Sequence, residues 1–204
     1  MNHLISFIIG MASSLSASYF LSFTNLFFKI VPPKYRRSFN AEYKNQKKAL
    51  HAIKKDAQRS STLKVISMKG DTFSSPNAGD LNSLLLNGPA KQMYLISNPE
   101  NPYVIQRGKE LNYNNFKMGI QNSIGCFKEA ASKNSNIELR MHNEILRFRL
   151  IIFDDCLYLS FQSTDTPGRE SPMQRYIRSS SGYSALDAYF NDLWDKYAKI
   201  EESN

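Results

Sequence analysis

The sequence predicts an α/β domain with a mixed sheet behind a single N-terminal membrane-spanning helix. An uncharged segment of 25 residues, 4–28, lies near the N-terminus. Further along, short runs of β-branched and aromatic residues alternate with helical stretches, as in α/β proteins. We expect residues 1–31 to form the spanning helix, 32–60 a basic amphipathic linker and 61–204 a two-layer α/β domain.

The segment 4–28 exceeds the roughly 20 residues that a helix needs to cross a bilayer. A cleaved secretory signal is the main alternative, but the start has no Lys or Arg and the apolar run passes beyond its small residues. A buried core helix is a further alternative. Basic residues follow the segment and none precede it, which predicts an inner-membrane protein with its N-terminus outside and its C-terminal domain in the cytoplasm.

Small residues recur at every fourth position along this segment. A stripe of this kind lets spanning helices approach closely and associate. We therefore expect a homodimer or a higher homo-oligomer. The residues of the stripe are Gly10, Ser14, Ser18 and Ser22.

The positive charge is concentrated next to the predicted membrane helix. Residues 29–59 contain ten basic and two acidic residues, whereas basic and acidic residues are equal in number over residues 60–204. The region 29–59 is therefore expected to bind anionic lipid headgroups, and nucleic acid becomes a less favoured partner. Residues 40–60 have the pattern of an amphipathic helix, which would lie on lipid, enter a coiled coil or pack on the domain. Cys126 and Cys156 form no disulfide framework or zinc motif, and no metal or cofactor is expected.

The elements of the domain are predicted in the order of the chain. A strand running into a polar loop covers 62–73, and a loop with a short helix ending at Gly88 follows. Residues 90–99 form the next strand, and 101–134 are helical with a break near Tyr113. The remaining elements are a strand at 137–144, a hairpin formed by 145–153 and 156–162, and a closing helix at 182–200.

Two arginines two positions apart mark the first strand of the hairpin. Alternation places Arg147 and Arg149 on the same face as Ile151, so that face is partly apolar. Arginines in such surroundings require an anion, either a ligand or a carboxylate of the chain. Glu138 and Glu144 are the nearest candidates for an internal ion pair, and both alternatives remain open.

The predicted turn fixes the partners of these arginines. A two-residue turn at Asp154-Asp155 pairs Arg149 with Ser160 and Arg147 with Gln162. This places a polar cluster at a strand end, which is a common position for a ligand site.

A loop further along the chain supplies a second set of anion-binding groups. Residues 166–172 contain Gly168, Arg169 and Ser171, which direct backbone N–H groups and a guanidinium towards an anion. The turn at 70–72 forms either a further wall of the same site or a plain turn. An extended rim is expected from Arg175, Arg178 and residues 179–181.

The spacing Arg147-x-Arg149-x-x-x-x-Asp154 resembles the H-x-K-x-x-x-x-D motif of the phospholipase D superfamily. The family's following G-S-x-N falls at residues 161–164, where only some polar character remains. The segments MKGDTF, GRESP and YF-x-x-LW resemble bacterial members that have lost the motif and occur beside regulatory modules. This resemblance implies a phospholipase D-like fold over about 140 residues. It also implies self-pairing, because catalytic members build one site from two motif copies.

The departure from the motif changes the expected chemistry. An arginine stands where the family has its catalytic histidine, and a guanidinium cannot act as nucleophile or general base. No H-x-K occurs in the chain, because His142 is followed by Asn143-Glu144. Phosphate recognition is therefore expected rather than hydrolysis.

The resulting hypothesis is a membrane-anchored cytoplasmic sensor or effector that binds a phosphorylated small molecule such as a nucleotide. Bacterial stress or phage defence is its expected setting, by analogy of architecture alone. The alternatives are a divergent phosphodiesterase or nuclease using His142, and an adaptor that docks on anionic lipid. The expected ligand-binding residues are Arg147, Arg149, Asp154, Ser160, Gln162, Arg169 and Ser171.

Overall fold

A mixed seven-stranded sheet forms the centre of the domain. The structure is a computed structural model that describes residues 39–75 and 81–197. Its strands are β1 (Ala41–Tyr43), β2 (Thr62–Ser67), β3 (Lys91–Ser97), β4 (Ile137–His142), β5 (Phe148–Phe153), β6 (Cys156–Phe161) and β7 (Met173–Ile177). Its helices are α1 (Gln46–Ala57), α2 (Asp71–Ser74), α3 (Asn82–Asn87), α4 (Pro102–Glu110), α5 (Phe116–Lys133) and α6 (Ser181–Lys196).

The strand order β1-β7-β6-β5-β2-β3-β4 combines a parallel half with an antiparallel half. β2, β3 and β4 are parallel and are connected through helices, as parallel neighbours require. β5, β6 and β7 form an antiparallel meander, and β5 joins it to β2. The predicted mixed α/β sheet is confirmed, whereas β1 and β7 were not predicted as strands.

Helices cover both faces of the sheet. Apolar residues of α1 to α5 pack on one face. The apolar side of α6, with Phe190 and Trp194, packs on the other face against Leu150 and Leu157. The expectation of two layers is therefore corrected to three. The physical reason is that β5 and β6 are apolar on both faces, so each face must be covered.

Part of the predicted linker belongs to the domain. The chain divides into two compact units, Met1–Arg37 and Ser38–Asn204, so the second unit begins before residue 61. Of the three alternatives for residues 40–60, the structure shows packing on the domain, because Ala49 and Ile53 of α1 are fully buried. Asn45 caps the start of α1, and its side chain accepts a hydrogen bond from the Lys48 N–H.

The predicted membrane segment lies outside the described residues. Segment 4–28 and the stripe Gly10, Ser14, Ser18 and Ser22 both precede residue 39. Within 39–75 and 81–197, no helix has the length and apolar character needed to cross a membrane.

Candidate anion-binding site

A cavity of about 440 Å³ lies where the carboxyl end of β2 meets the beginning of β5. The antiparallel register pairs Ile66 with Leu150, so Ser67 and Arg149 come next to each other at this edge. The turn after β2, the junction of α4 and α5 and the loop after β6 complete the walls. Clefts at strand ends with a few convergent polar groups are the common form of a small-molecule site.

Arg149 is a buried cation with no carboxylate partner in the described part of the chain. Arg149 is 4% exposed and lines the cavity. Nη1 donates to Thr72 Oγ1 at 3.2 Å and Nη2 to the Gly168 carbonyl at 3.3 Å, while Nε has no partner among the described residues. Burial lowers the pKa of Arg149 to about 10, and the nearby Asp71 carboxylate opposes this only in part. The guanidinium is therefore still protonated at neutral pH.

Arg147 lies outside the cavity in an internal ion pair. Its Nη2 donates to Glu110 Oε1 at 2.7 Å, and its side chain is 40% exposed. The carboxylate is on α4, not at Glu138 or Glu144, which pair with Arg140 and Lys196. The expectation that both arginines hold the ligand is corrected, because Arg147 does not line the cavity and is paired with Glu110.

Arg107 shapes the cavity and was not expected from sequence. This residue of α4 is 1% exposed, and Nη1 pairs with Glu110 Oε2 at 3.0 Å. The guanidinium also donates to the carbonyls of Thr164 and Thr166 at 2.7 and 3.2 Å. It therefore holds the loop after β6 against α4. In the sequence it was one basic residue on an amphipathic helix, and such residues usually face solvent.

The turn after β2 supplies a second cation. Gly70 adopts a left-handed conformation with φ 76°, which favours glycine, and Ser67 Oγ accepts a hydrogen bond from its N–H. Lys69 Nζ then lies 3.1 Å from Asp71 Oδ2. A side chain at Gly119 would place Cβ 2.4 Å from Lys69 Cε, so this glycine leaves room for the lysine. The predicted wall at residues 70–72 is present through Asp71 and Thr72.

The loop after β6 forms the opposite wall. The predicted pairing of Arg149 with Ser160 is confirmed, and Gln162 N–H donates to the Arg147 carbonyl at 2.8 Å. Gln162 and Arg169 line the cavity, with the Arg169 side chain 58% exposed at its rim. Ser160 and Ser171 lie behind the loop. Their hydroxyls donate to the carbonyls of Gly168 and Pro167 at 3.4 Å, so they shape the wall without lining the cavity.

An aromatic corner closes the site where α4 turns into α5. The Asn112 N–H donates to the Lys109 carbonyl and the Tyr113 N–H to the Gly108 carbonyl, while Asn112 has a left-handed φ of 50°. This pair of bonds is the Schellman ending of a helix, with Asn in the position usually taken by Gly. The predicted break near Tyr113 is confirmed. It places the Tyr113 ring in the cavity wall, with the Lys69 ammonium 4.8 Å from the ring centre.

Three predicted groups lie away from the cavity. Asp154, at the far end of β5, accepts hydrogen bonds from the Ser61 N–H and hydroxyl at 2.6 and 2.8 Å. Four strand residues lie between it and Arg149, and the five residue steps span roughly 17 Å, so its place in the ligand site is corrected. Arg175 pairs with Asp56, and Arg178 lies 3.9 Å from Asp155 at the hairpin turn. The extended rim is therefore not part of the cavity.

His142 does not line the cavity either. The residue is 0% exposed at the end of β4, and its Nε2 lies 3.5 Å from Ser97 Oγ. Burial lowers its pKa to about 4, so the imidazole is neutral at physiological pH. His142, the nucleophile of the alternative hypothesis, is therefore buried away from a substrate held by Arg149.

No protein-family model matches the chain, and a search of curated proteins found no match. The chain is similar to TrmBL2, an archaeal chromatin protein whose structure shows a novel mode of DNA binding, at 13% identity and a TM-score of 0.48. The similarity covers 94% of this chain but 65% of TrmBL2. A second similar structure is Nuc, a phospholipase D family member from Salmonella typhimurium, at 13% identity and a TM-score of 0.46, with 76% of this chain and 91% of Nuc covered.

Proposed function

We propose that this domain binds a phosphate-bearing small molecule in the cavity around Arg149. The observation that supports this is the buried Arg149 guanidinium, which keeps its charge but has only neutral hydrogen-bond acceptors. A buried charge without a counter-ion is costly, and an anionic oxygen placed there would gain charge-assisted hydrogen bonds. Lys69 and Arg169 are further cations of the lining, and with Arg149 they form the cation wall. Unlike Arg149, both have a carboxylate nearby: Asp71 lies 3.1 Å from Lys69 and Glu170 lies 4.0 Å from Arg169.

Binding is favoured over phosphodiester hydrolysis by the side chains that face the cavity. In the part of the chain that the structure describes, its lining contains cationic, amide, hydroxyl and apolar groups and one carboxylate, Asp71, but no histidine or cysteine. Guanidinium and ammonium groups recognise phosphate oxygens well. A protonated guanidinium does not attack phosphorus, so the lining matches a receptor more closely than a hydrolase.

The wider proposal places this receptor on a membrane. Residues 4–28 would anchor the chain in the inner membrane, with the domain in the cytoplasm, and the region 29–59 would contact anionic headgroups. The stripe from Gly10 to Ser22 would pair two copies, and ligand binding would change that association. A sensor or effector in bacterial stress or phage defence would use such an arrangement.

The test is calorimetric titration of the full chain in detergent with inorganic phosphate. Arg149→Met should weaken binding roughly 10-fold or more, because charge-assisted hydrogen bonds are lost. Arg147→Met is the matched control, since it removes an equal charge two positions away, just before β5 and outside the cavity. It should bind within about twofold of the unmodified chain. Equal binding by all three proteins would refute the assignment of Arg149.

A further inference from the structure

We infer that the ligand of this cavity is a mononucleotide, held by its phosphate at the cation wall and by its base at Tyr113. The inference rests on the proposed function and specifies its ligand class. The cavity, at about 440 Å³, is large for an inorganic phosphate. One water takes up roughly 30 Å³ of liquid, and a phosphate is only a few times larger, so it would fill a small part of the cavity. The remaining space must suit the rest of a larger molecule.

The remaining space is bounded by apolar and aromatic side chains. We call Met68, Leu111, Tyr113 and Phe116 the apolar wall, which the cavity has in addition to its cations. Met68 and Phe116 are buried, whereas Tyr113 is 43% exposed. A sugar phosphate alone would leave this wall without an apolar partner, while a planar base would cover it.

Tyr113 is held in place before any ligand arrives. The Schellman ending of α4 fixes its backbone, and its ring meets Phe116 edge to face at 6.1 Å. A fixed aromatic ring loses little conformational freedom when a second ring stacks on it, which favours binding. Every nucleobase offers such a ring face, and stacking on an aromatic side chain is a recurrent mode of base binding.

The spacing of the two walls suits a ligand that has both parts. The Lys69 ammonium lies 4.8 Å from the Tyr113 ring centre, so a phosphate bound to this lysine brings its attached group next to the ring. Asn112 and Gln162 also line the cavity, and their amides offer both donors and acceptors. The exocyclic and ring atoms of a base present the same two kinds of group.

The test compares ligands that differ by one part. The full chain in detergent is titrated with the four ribonucleoside monophosphates, ribose 5-phosphate, the free nucleosides and inorganic phosphate. We expect at least one mononucleotide to bind roughly 10-fold or more tightly than ribose 5-phosphate, which is within the range for stacking of one base. Nucleosides should bind weakly, because they lack the phosphate.

Variants at Tyr113 separate the base contact from the fold. Tyr113→Ala should lower mononucleotide affinity to the level of ribose 5-phosphate and leave ribose 5-phosphate binding unchanged. Tyr113→Phe keeps the ring and should keep the preference for mononucleotides. Arg149→Met should weaken all phosphorylated ligands together.

The outcomes distinguish this inference from the proposed function. If ribose 5-phosphate and every mononucleotide bind equally well through Arg149, the base contact is refuted while the phosphate receptor stands. If Tyr113→Ala weakens ribose 5-phosphate as much as the mononucleotide, the specific role of the ring is also refuted. If no phosphorylated ligand binds, both proposals fail.

Discussion

Arg149 lies in β5 and Arg147 just before it, yet their surroundings give them different roles. Glu110 neutralises Arg147 at 2.7 Å, and Arg147 stays partly in solvent. Arg149 is buried beside two neutral acceptors. A guanidinium whose pKa falls from its ordinary value to about 10 is destabilised in its charged form by about 3 kcal/mol. The free domain therefore gives up stability to keep a cation in its cavity, a pattern common at binding sites.

Replacement of Arg149 by Met should make the ligand-free protein more stable. Below about pH 10 the guanidinium is charged in the folded and the unfolded chain, so the burial cost is fully present at pH 7 and disappears only as the pH rises past the ordinary pKa. We expect Arg149→Met to raise the free energy of unfolding by about 1–3 kcal/mol. Urea denaturation of the full chain at pH 7, without phosphate, measures this.

The same denaturation series includes Arg147→Met as its control. That change removes one of the two arginines paired with Glu110 and should lower stability only slightly, because the Arg147 side chain is partly in solvent. A lower stability of Arg149→Met than of the unmodified chain would show that its two hydrogen bonds outweigh the cost of burying the charge.

At the scale of elements, one carboxylate joins α1 to the sheet. Asp56 Oδ2 accepts hydrogen bonds from Arg175 Nε at 2.9 Å, Tyr158 Oη at 2.5 Å and Cys156 Sγ at 3.1 Å. These donors belong to β6 and β7, so the contact complements the apolar packing of Ala49 and Ile53. Burial raises the pKa of Asp56, but these hydrogen bonds outweigh it and hold the pKa below its usual range.

The Asp56 contact predicts a specific acid sensitivity. A lowered pKa in the folded chain means that this stabilisation is present above the unfolded pKa of about 3.9 and is lost as the pH falls below it. Asp56→Asn should lower the free energy of unfolding by about 2 kcal/mol at pH 7. This difference should shrink as the pH is taken from 5 to 3, measured by urea denaturation at each pH.

The control for this experiment is Asp155→Asn, which changes an exposed carboxylate in the hairpin turn. It should change stability little at any of these pH values. A difference between Asp56→Asn and the unmodified chain that stays constant from pH 7 to pH 3 would contradict the assigned role of Asp56.

At the scale of the whole molecule, the lysines on the exposed side of α1 belong, in the sequence, to the basic region that begins at Lys29. Among the described residues, the lysines on this side have no ion-pair partner. The ion pair that α1 does form there joins Asp56 to Arg175. Unneutralised lysines next to a predicted membrane segment favour contact with anionic headgroups. The lysines concerned are Lys47, Lys48, Lys54 and Lys55.

The lipid contact can be measured by native mass spectrometry of the full chain from nanodiscs of mixed anionic and zwitterionic lipid. Lys47→Glu/Lys54→Glu should retain fewer anionic lipids, because each lysine near the surface contributes about 1 kcal/mol. Lys91→Glu/Lys109→Glu changes the charge equally at exposed positions outside α1 and should retain the normal number. Equal retention by both double variants would refute a lipid contact through α1. The same spectra report the oligomeric state.

The sequence by itself determined the features that depend on local pattern and turn chemistry. The sequence predicted the succession of strands β2 to β6 along the chain and the closing helix. It also predicted the break near Tyr113 and the pairing of Arg149 with Ser160. Side-chain periodicity, helix endings and two-residue turns act over a few residues, so they can be identified without knowledge of the fold. The turn at residues 70–72 was identified in the same way, whereas its place in the cavity wall came from the structure.

Only the tertiary structure decided which of these groups share a site. It separated Arg147 from Arg149 through Glu110, placed Asp154 at the far end of β5, and brought Lys69 and Tyr113 to the same cavity. It also formed β1 and β7 by pairing segments that are distant in sequence, and it covered the second face of the sheet with α6. Burial, ion pairing and cavity walls depend on long-range neighbours, whereas periodicity and turn chemistry act within a few residues and therefore fix elements but not sites.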